Sequence, residues 1–233
     1  MDGSPPDIDA YSIESSLDDL EALIAKIGLR KFHIYGQSFG GILAYEYIRR
    51  VAERECECEC ESNENENENG PKCLSLILSS TPCNVKQVEG VANDLIANLL
   101  QEDPDEGSIM ERFRMNHQCR TEEKPQPLID AYDHASEQGI WRGTQSIQDW
   151  EATSVSATAT ELSSSAKRMR MPSAMIMRGE YDFVTEDCIL GWKDAFNHNF
   201  VRIKELEGCS HHGLLEKGHF YGEIVDSYFA EYD

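Results

Sequence analysis

The segment Gly36-Gln37-Ser38-Phe39-Gly40 sets a serine between glycines where a short apolar run, Phe32-His33-Ile34-Tyr35, gives way to a helical pattern from Ile42 to about Glu53. At such a strand-to-helix junction the serine hydroxyl is thrust out of a sharp turn, and flanking glycines leave room for that turn. A serine hydroxyl is a poor nucleophile at neutral pH. It needs a histidine to take its proton and a carboxylate to hold that histidine in the right tautomer. Asp182 follows one apolar run and a glycine, and His211 follows the next run and a glycine, so both belong on loops at strand C-terminal ends. The order Ser38, Asp182, His211 predicts acyl transfer with nucleophile, orienting acid and base in that sequence. The Phe39 backbone N–H supplies one oxyanion donor.

Other candidates are weaker for stated reasons. His212 is the alternative base, but adjacent side chains point apart and only one of the pair can serve; His211 is preferred. His33 lies inside a strand and reads as packing or as satisfied locally. Asp187 sits one turn into a helix, where its charge complements the helix N-terminus.

These residues require strands and helices in alternation. Ile13, Leu17, Leu20, Ile24 and Ile27 recur at helical spacing, with Ser12 to cap the start and Gly28 the end. Cys73 to Leu78 and Ala174 to Met177 are continuous apolar runs, expected for parallel strands buried on both faces. A helix is expected from about Glu186 to Phe196, a last strand from Phe200 to Leu206, and a closing amphipathic helix from about Lys217 to Phe229. From Lys86 to Arg170 the pattern is helical but broken by prolines and glycines, which reads as an inserted cap. The fold class is therefore α/β, a parallel sheet with flanking helices. Residues 1–85 form core with the serine turn, 86–170 the helical cap, and 171–233 core with the acid and base.

Between the first two strands lies a dipeptide repeat, Glu55-Cys56-Glu57-Cys58-Glu59-Cys60-Glu61, continuing as alternating Asn and Glu to Asn69. So charged a tract cannot bury enough apolar area to order itself, so 54–70 is expected to be a disordered loop. Cys56, Cys58 and Cys60 could line one side of an extended segment, but no CxxC spacing or nearby histidine completes a metal site. No metal and no cofactor is expected. The eight cysteines include these three, and the rest are scattered among apolar positions, so a reduced, cytoplasmic protein is expected rather than a disulfide framework. A net charge of -22 argues against a polyanionic partner, nucleic acid or anionic membrane. No stretch reaches the roughly 20 apolar residues of a membrane helix.

Taken together, Gly36 to Gly41, His117-Gln118-Cys119-Arg120, Asp149-Trp150-Glu151, Gly179 to Thr185 and Gly208 to His211 resemble the proline iminopeptidase family of α/β-hydrolases. The resemblance runs from Tyr11 to Phe229 outside the repeat. It implies Ser38, Asp182 and His211 as the catalytic triad, a short peptide as substrate, and release of an N-terminal residue, typically proline. The family also has further strands and an oxyanion loop ahead of the helix that opens this chain. The reading is accordingly of an N-terminally truncated member, impaired by loss of one oxyanion donor, a loss that costs roughly 10²- to 10³-fold in a protease.

The family's grip on a free amine uses an acid directly after the catalytic aspartate, a position held here by Phe183, and another in the cap. Glu151 is the substitute candidate for binding that amine. An esterase or other amide hydrolase of the same fold, acting on a small ester, is the alternative function. A non-catalytic remnant, with the acidic loop as its contact surface, is the rival from another class.

Overall fold

In the computed structural model, residues 12–61, 70–102, 107–137, 147–153, 171–196 and 201–233 are described, with the backbone alone at 56–61 and 135–137. The strands are β1 (Lys31–Gln37), β2 (Lys72–Ser79), β3 (Ser173–Gly179) and β4 (Val201–Leu206). They pair in parallel in the order β1-β2-β3-β4. The central strands β2 and β3 carry the continuous apolar runs, because both of their faces must be covered.

Side chains alternate across the sheet, and the alternation builds two cores. Leu76, Leu78, Ala174 and Ile176 enter one core with Tyr45, Ile48, Ile189 and Trp192. Ile77, Met175 and Met177 enter the other, with Leu206, Tyr221 and Tyr228. Helices therefore cover both faces.

The helices are α1 (Ile13–Ile27), α2 (Phe39–Glu61), α3 (Val85–Glu102), α4 (Ile109–Phe113), α5 (Gln126–Glu137), α6 (Glu186–Ile189), α7 (Trp192–Ala195), α8 (Gly213–Glu216) and α9 (Gly218–Ala230). Helix α1 has the expected caps: Ser12 accepts from the Ser15 amide at 3.1 Å, and Gly28 adopts φ 69°. The expected cap begins with α3, α4, a π-helical turn over Arg114–Gln118, and α5. The rest of it, except 147–153, lies outside the described residues.

Two expectations need correction. The disordered insert was expected from 54, yet α2 continues to Glu61. Glutamate is a good helix former, and once a helix is nucleated each added residue costs little, so the Glu-Cys repeat extends α2 instead of ending it. Residues 62–69 lie outside the described residues. The single helix expected over 186–196 is two short ones, because the chain turns at Leu190–Gly191, where a side chain on Gly191 would come within 2.7 Å of Cys83 Sγ.

Cys73, Cys83, Cys119, Cys188 and Cys209 are free thiols. Among the described residues no helix is long and apolar enough to cross a membrane.

Candidate active site

Ser38 is the single residue between β1 and α2, and it sits at φ 51°. That left-handed conformation costs an L-residue about 1–2 kcal/mol. It persists because both of its peptide groups are held: the Ser38 N–H donates to Ser79 O at 2.8 Å, and its carbonyl accepts from Gly41 at 3.0 Å and Ile42 at 3.3 Å. The glycines that permit this turn are Gly36 and Gly41. A Cβ on Gly36 would lie 2.5 Å from Gly40 O, and one on Gly41 would lie 1.9 Å from Thr81 Oγ1. Gly40, the last glycine of the pentapeptide, faces open space. Phe39 opens α2, so its N–H belongs to the first turn, which has no intrahelical acceptor.

Asp182 lies three residues beyond β3 and His211 five beyond β4. Their side chains meet, His211 Nδ1 to Asp182 Oδ1 at 2.9 Å, and both residues are buried. Asp182 Oδ1 also accepts from the Val184 amide at 2.9 Å, while Oδ2 has no partner. With Nδ1–H donated to a carboxylate, His211 Nε2 is left as the proton acceptor. The Phe183 ring stacks on the imidazole, centroids 4.2 Å apart, and Phe113 lies 5.7 Å beyond Phe183.

Ser38 Oγ makes no hydrogen bond to His211, but the neighbours of each are joined. Gln37 Nε2 donates to His211 O at 2.8 Å, and Ser80 Oγ donates to the same carbonyl at 3.3 Å. Ser80 itself sits at φ 49°. The turn before α2 and the loop after β4 are thus fastened to each other across the strand ends.

His212 is placed differently from His211. Its Nδ1 accepts from Gln37 Nε2 at 3.3 Å, and its Nε2 is buried with no partner. Burial, followed by the charges of His211 and Lys124 and opposed by Asp182, pulls its pKa down to about 4. An imidazole without a carboxylate partner and with its pKa pulled this low is too weakly basic to suit the general base. His33 is bonded to Ser75 Oγ at 2.7 Å and to Asp233 Oδ1 at 3.0 Å, a local arrangement as expected.

Glu151 is exposed, its backbone bridged to Asn84, and it shares no hydrogen bond or ion pair with Ser38, Asp182 or His211. Its neighbour Trp150 instead donates Nε1–H to the buried Glu46 at 2.9 Å.

The segment 117–120 does what its sequence did not disclose. The amides of His211 and His212 donate to the carbonyls of His117 and Gln118, at 3.3 and 2.9 Å. His117 Nδ1 lies 3.1 Å from Tyr181 O, and the Arg120 guanidinium lies 3.8 Å above the Tyr181 ring. The segment is shaped by Arg114, which is buried and donates to the carbonyls of Cys119 at 2.8 Å and Thr121 at 3.2 Å. Gln37, Ser80 and this strap escape sequence reading because their role is carried by hydrogen bonds between chain segments far apart in sequence.

A family model for the alpha/beta hydrolase fold matches residues 2–218. Among curated proteins none matches. Similar solved structures include a proline iminopeptidase from Mycobacterium smegmatis, at 20% identity and TM-score 0.73, covering 97% of this chain and 74% of that one. VinJ is similar at 16% identity and TM-score 0.70, covering 98% and 75%. An esterase from Exiguobacterium antarcticum is similar at 16% identity and TM-score 0.56, covering 95% and 75%. At such identities the likeness is one of fold.

Proposed function

Because the chain belongs to the alpha/beta hydrolase fold family, we propose that it is a serine hydrolase working through Ser38, His211 and Asp182. The observation that carries this is the 2.9 Å bond between His211 Nδ1 and Asp182 Oδ1, at strand ends beside a serine held at φ 51°. His211 Nε2 takes the hydroxyl proton as Ser38 Oγ attacks the substrate carbonyl, and the developing oxyanion draws on the Phe39 N–H. The proton passes to the leaving amine or alcohol, which departs and leaves an acyl-Ser38 ester. Water then attacks that ester, giving up its proton to His211, and the acid product leaves as Ser38 regains the proton.

For the substrate, the first reading is a short peptide from which N-terminal proline is released, in keeping with the sequence resemblance. A second reading, a simple ester, is favoured by one observation: the rings against His211, Phe183 and then Phe113, are apolar and offer no charge to a free amine. A fluorophosphonate probe tests the chemistry. Wild type is expected to label on Ser38 and folded Ser38→Ala to remain unlabelled; equal labelling refutes the nucleophile. Faster turnover of a p-nitrophenyl ester than of a proline arylamide selects the second reading.

A further inference from the structure

We infer that Glu216 is a positioning residue for His211, and that it acts by clamping the His211 loop to the cap strap; the inference rests on the serine hydrolase reading above. Glu216 ends the short helix α8, and a surface glutamate there would ordinarily be solvated. Here it is half-buried and its carboxylate is fully engaged. Oε2 accepts from the Ser210 amide at 2.7 Å, and Oε1 accepts both from the Ser210 hydroxyl and from the Arg120 amide at 2.7 Å.

Two of these bonds fix Ser210, the residue directly before His211, at both its amide and its side chain. The third reaches across to Arg120 in the strap. Bonds from N–H to an ionised carboxylate are shorter and stronger than neutral ones, so this is the firmest link between the two segments. Other links hold the same loop: the His211 amide on His117 O, the His212 amide on Gln118 O, and His211 O on Gln37 and Ser80. Among the described residues, the Glu216 side chain grips both the loop and the strap.

The consequence for catalysis is geometric. The Asp182 bond sets the imidazole's rotation, but the position of Nε2 relative to Ser38 also depends on where the His211 backbone sits. Near-attack geometry is sensitive to shifts on the order of 1 Å, which cost about 10²-fold. Glutamine cannot replace Glu216. Each carboxylate oxygen accepts from a different backbone N–H, so a side-chain amide must turn its NH₂ toward one donor or the other.

The test compares wild type, Glu216→Gln and Ser210→Ala in fluorophosphonate labelling and in p-nitrophenyl ester turnover. Glu216→Gln is expected to label to the same final stoichiometry as wild type but about 10- to 100-fold more slowly, with kcat reduced in step and KM within about twofold. Ser210→Ala, which removes only the hydroxyl bond, is expected to fall between the two, and it decides the question should Glu216→Gln not fold. Labelling by Glu216→Gln at the wild-type rate overturns the inference. So does a loss of final stoichiometry that accounts for the whole loss of kcat, since that is a loss of folded protein. Failure of wild type itself to label overturns the reading of Ser38, and the role of Glu216 with it.

Discussion

Replacing Gly41 by alanine should destabilise the protein, whereas the same change at Gly40 should not. A Cβ on Gly41 falls 1.9 Å from Thr81 Oγ1, 2.7 Å from its Cγ2 and 2.8 Å from its Cβ. Turning the threonine cannot clear the clash, because its own Cβ is too close. Thr81 is also fixed, its hydroxyl donating to Ser79 O at 3.0 Å and its carbonyl accepting from Trp192 Nε1 at 2.8 Å. Ordinary carbon contacts lie near 3.5–4.0 Å, so α2 must lift from the end of β2 by about 1 Å or more. Overpacking of this kind costs about 1–3 kcal/mol, offset by the roughly 0.5–1 kcal/mol that alanine gains over glycine in a helix. The expected net is a loss of about 1 kcal/mol, or roughly 2–4 °C in Tm for a chain of this size. Gly40→Ala meets nothing within 4 Å and keeps only the helical gain, up to about 1 kcal/mol. Thermal and urea unfolding of the two variants measure the difference, and fluorophosphonate labelling of Gly41→Ala should slow as the Ser38 turn shifts. Equal stability of the two variants would refute the claim that α2 is seated on Thr81 through Gly41.

Asp182→Asn should leave the fold intact and lower kcat about 10³- to 10⁴-fold, as loss of the orienting carboxylate does in serine proteases; activity within tenfold of wild type would remove Asp182 from the mechanism. His212, with its pKa lowered from 6.5 to about 4, stays neutral in the native state while the unfolded chain takes up a proton. Its contribution is therefore intact above pH 6.5 and is lost as pH falls toward 4. With a discount for partial exposure the loss is about 2 kcal/mol. His212→Asn keeps an acceptor for Gln37 and should flatten the fall in urea-unfolding free energy between pH 7 and pH 4.5 by that amount. Tyr221→Phe should cost about 1–3 kcal/mol in the same assay, since it strips a shared partner from Ser79 Oγ and Tyr35 OH beneath the sheet.

Much of the site was legible because it obeys local rules. The strand before Ser38, the runs before Asp182 and His211, and the caps of α1 are all written in adjacent residues, and the structure has them within one or two positions. The expectation that only one of His211 and His212 can serve came from a local rule too, that neighbours point apart, and of the two it is His211 that bonds Asp182. What escaped depends on contacts between distant segments. The pentapeptide pattern gives Gly36 and Gly40 equal weight, but the close approaches fall on Gly36 and Gly41, the second because Thr81, just beyond β2, lies against it. Glu216 reads as a solvated helix residue until the strap at Arg120 is beside it. The Glu-Cys repeat misled for the opposite reason: its charge density argued for disorder, while its helix propensity, continuous with α2, prevailed in the backbone.

Ser80 shows how the Ser38 turn and the His211 loop are tied together without a direct bond between the two side chains. Two neighbouring strands are each followed at once by a serine in the left-handed region, Ser38 at φ 51° and Ser80 at φ 49°. Strain at a non-glycine residue survives only where the surroundings over-determine it. At Ser80 they do: its amide donates to Met177 O at 2.7 Å and its hydroxyl to His211 O at 3.3 Å, while the preceding Ser79 O receives the Ser38 amide at 2.8 Å. Two consecutive residues therefore touch the ends of β1 and β3 and the loop beyond β4. This shared backbone anchor and Gln37 contribute to the relative placement of Ser38 and His211 alongside the Glu216 bonds, leaving the hydroxyl and the imidazole to close on each other when a substrate is bound. Catalytic hydrogen bonds that are long or absent in the free enzyme and tighten in the Michaelis complex are a common arrangement.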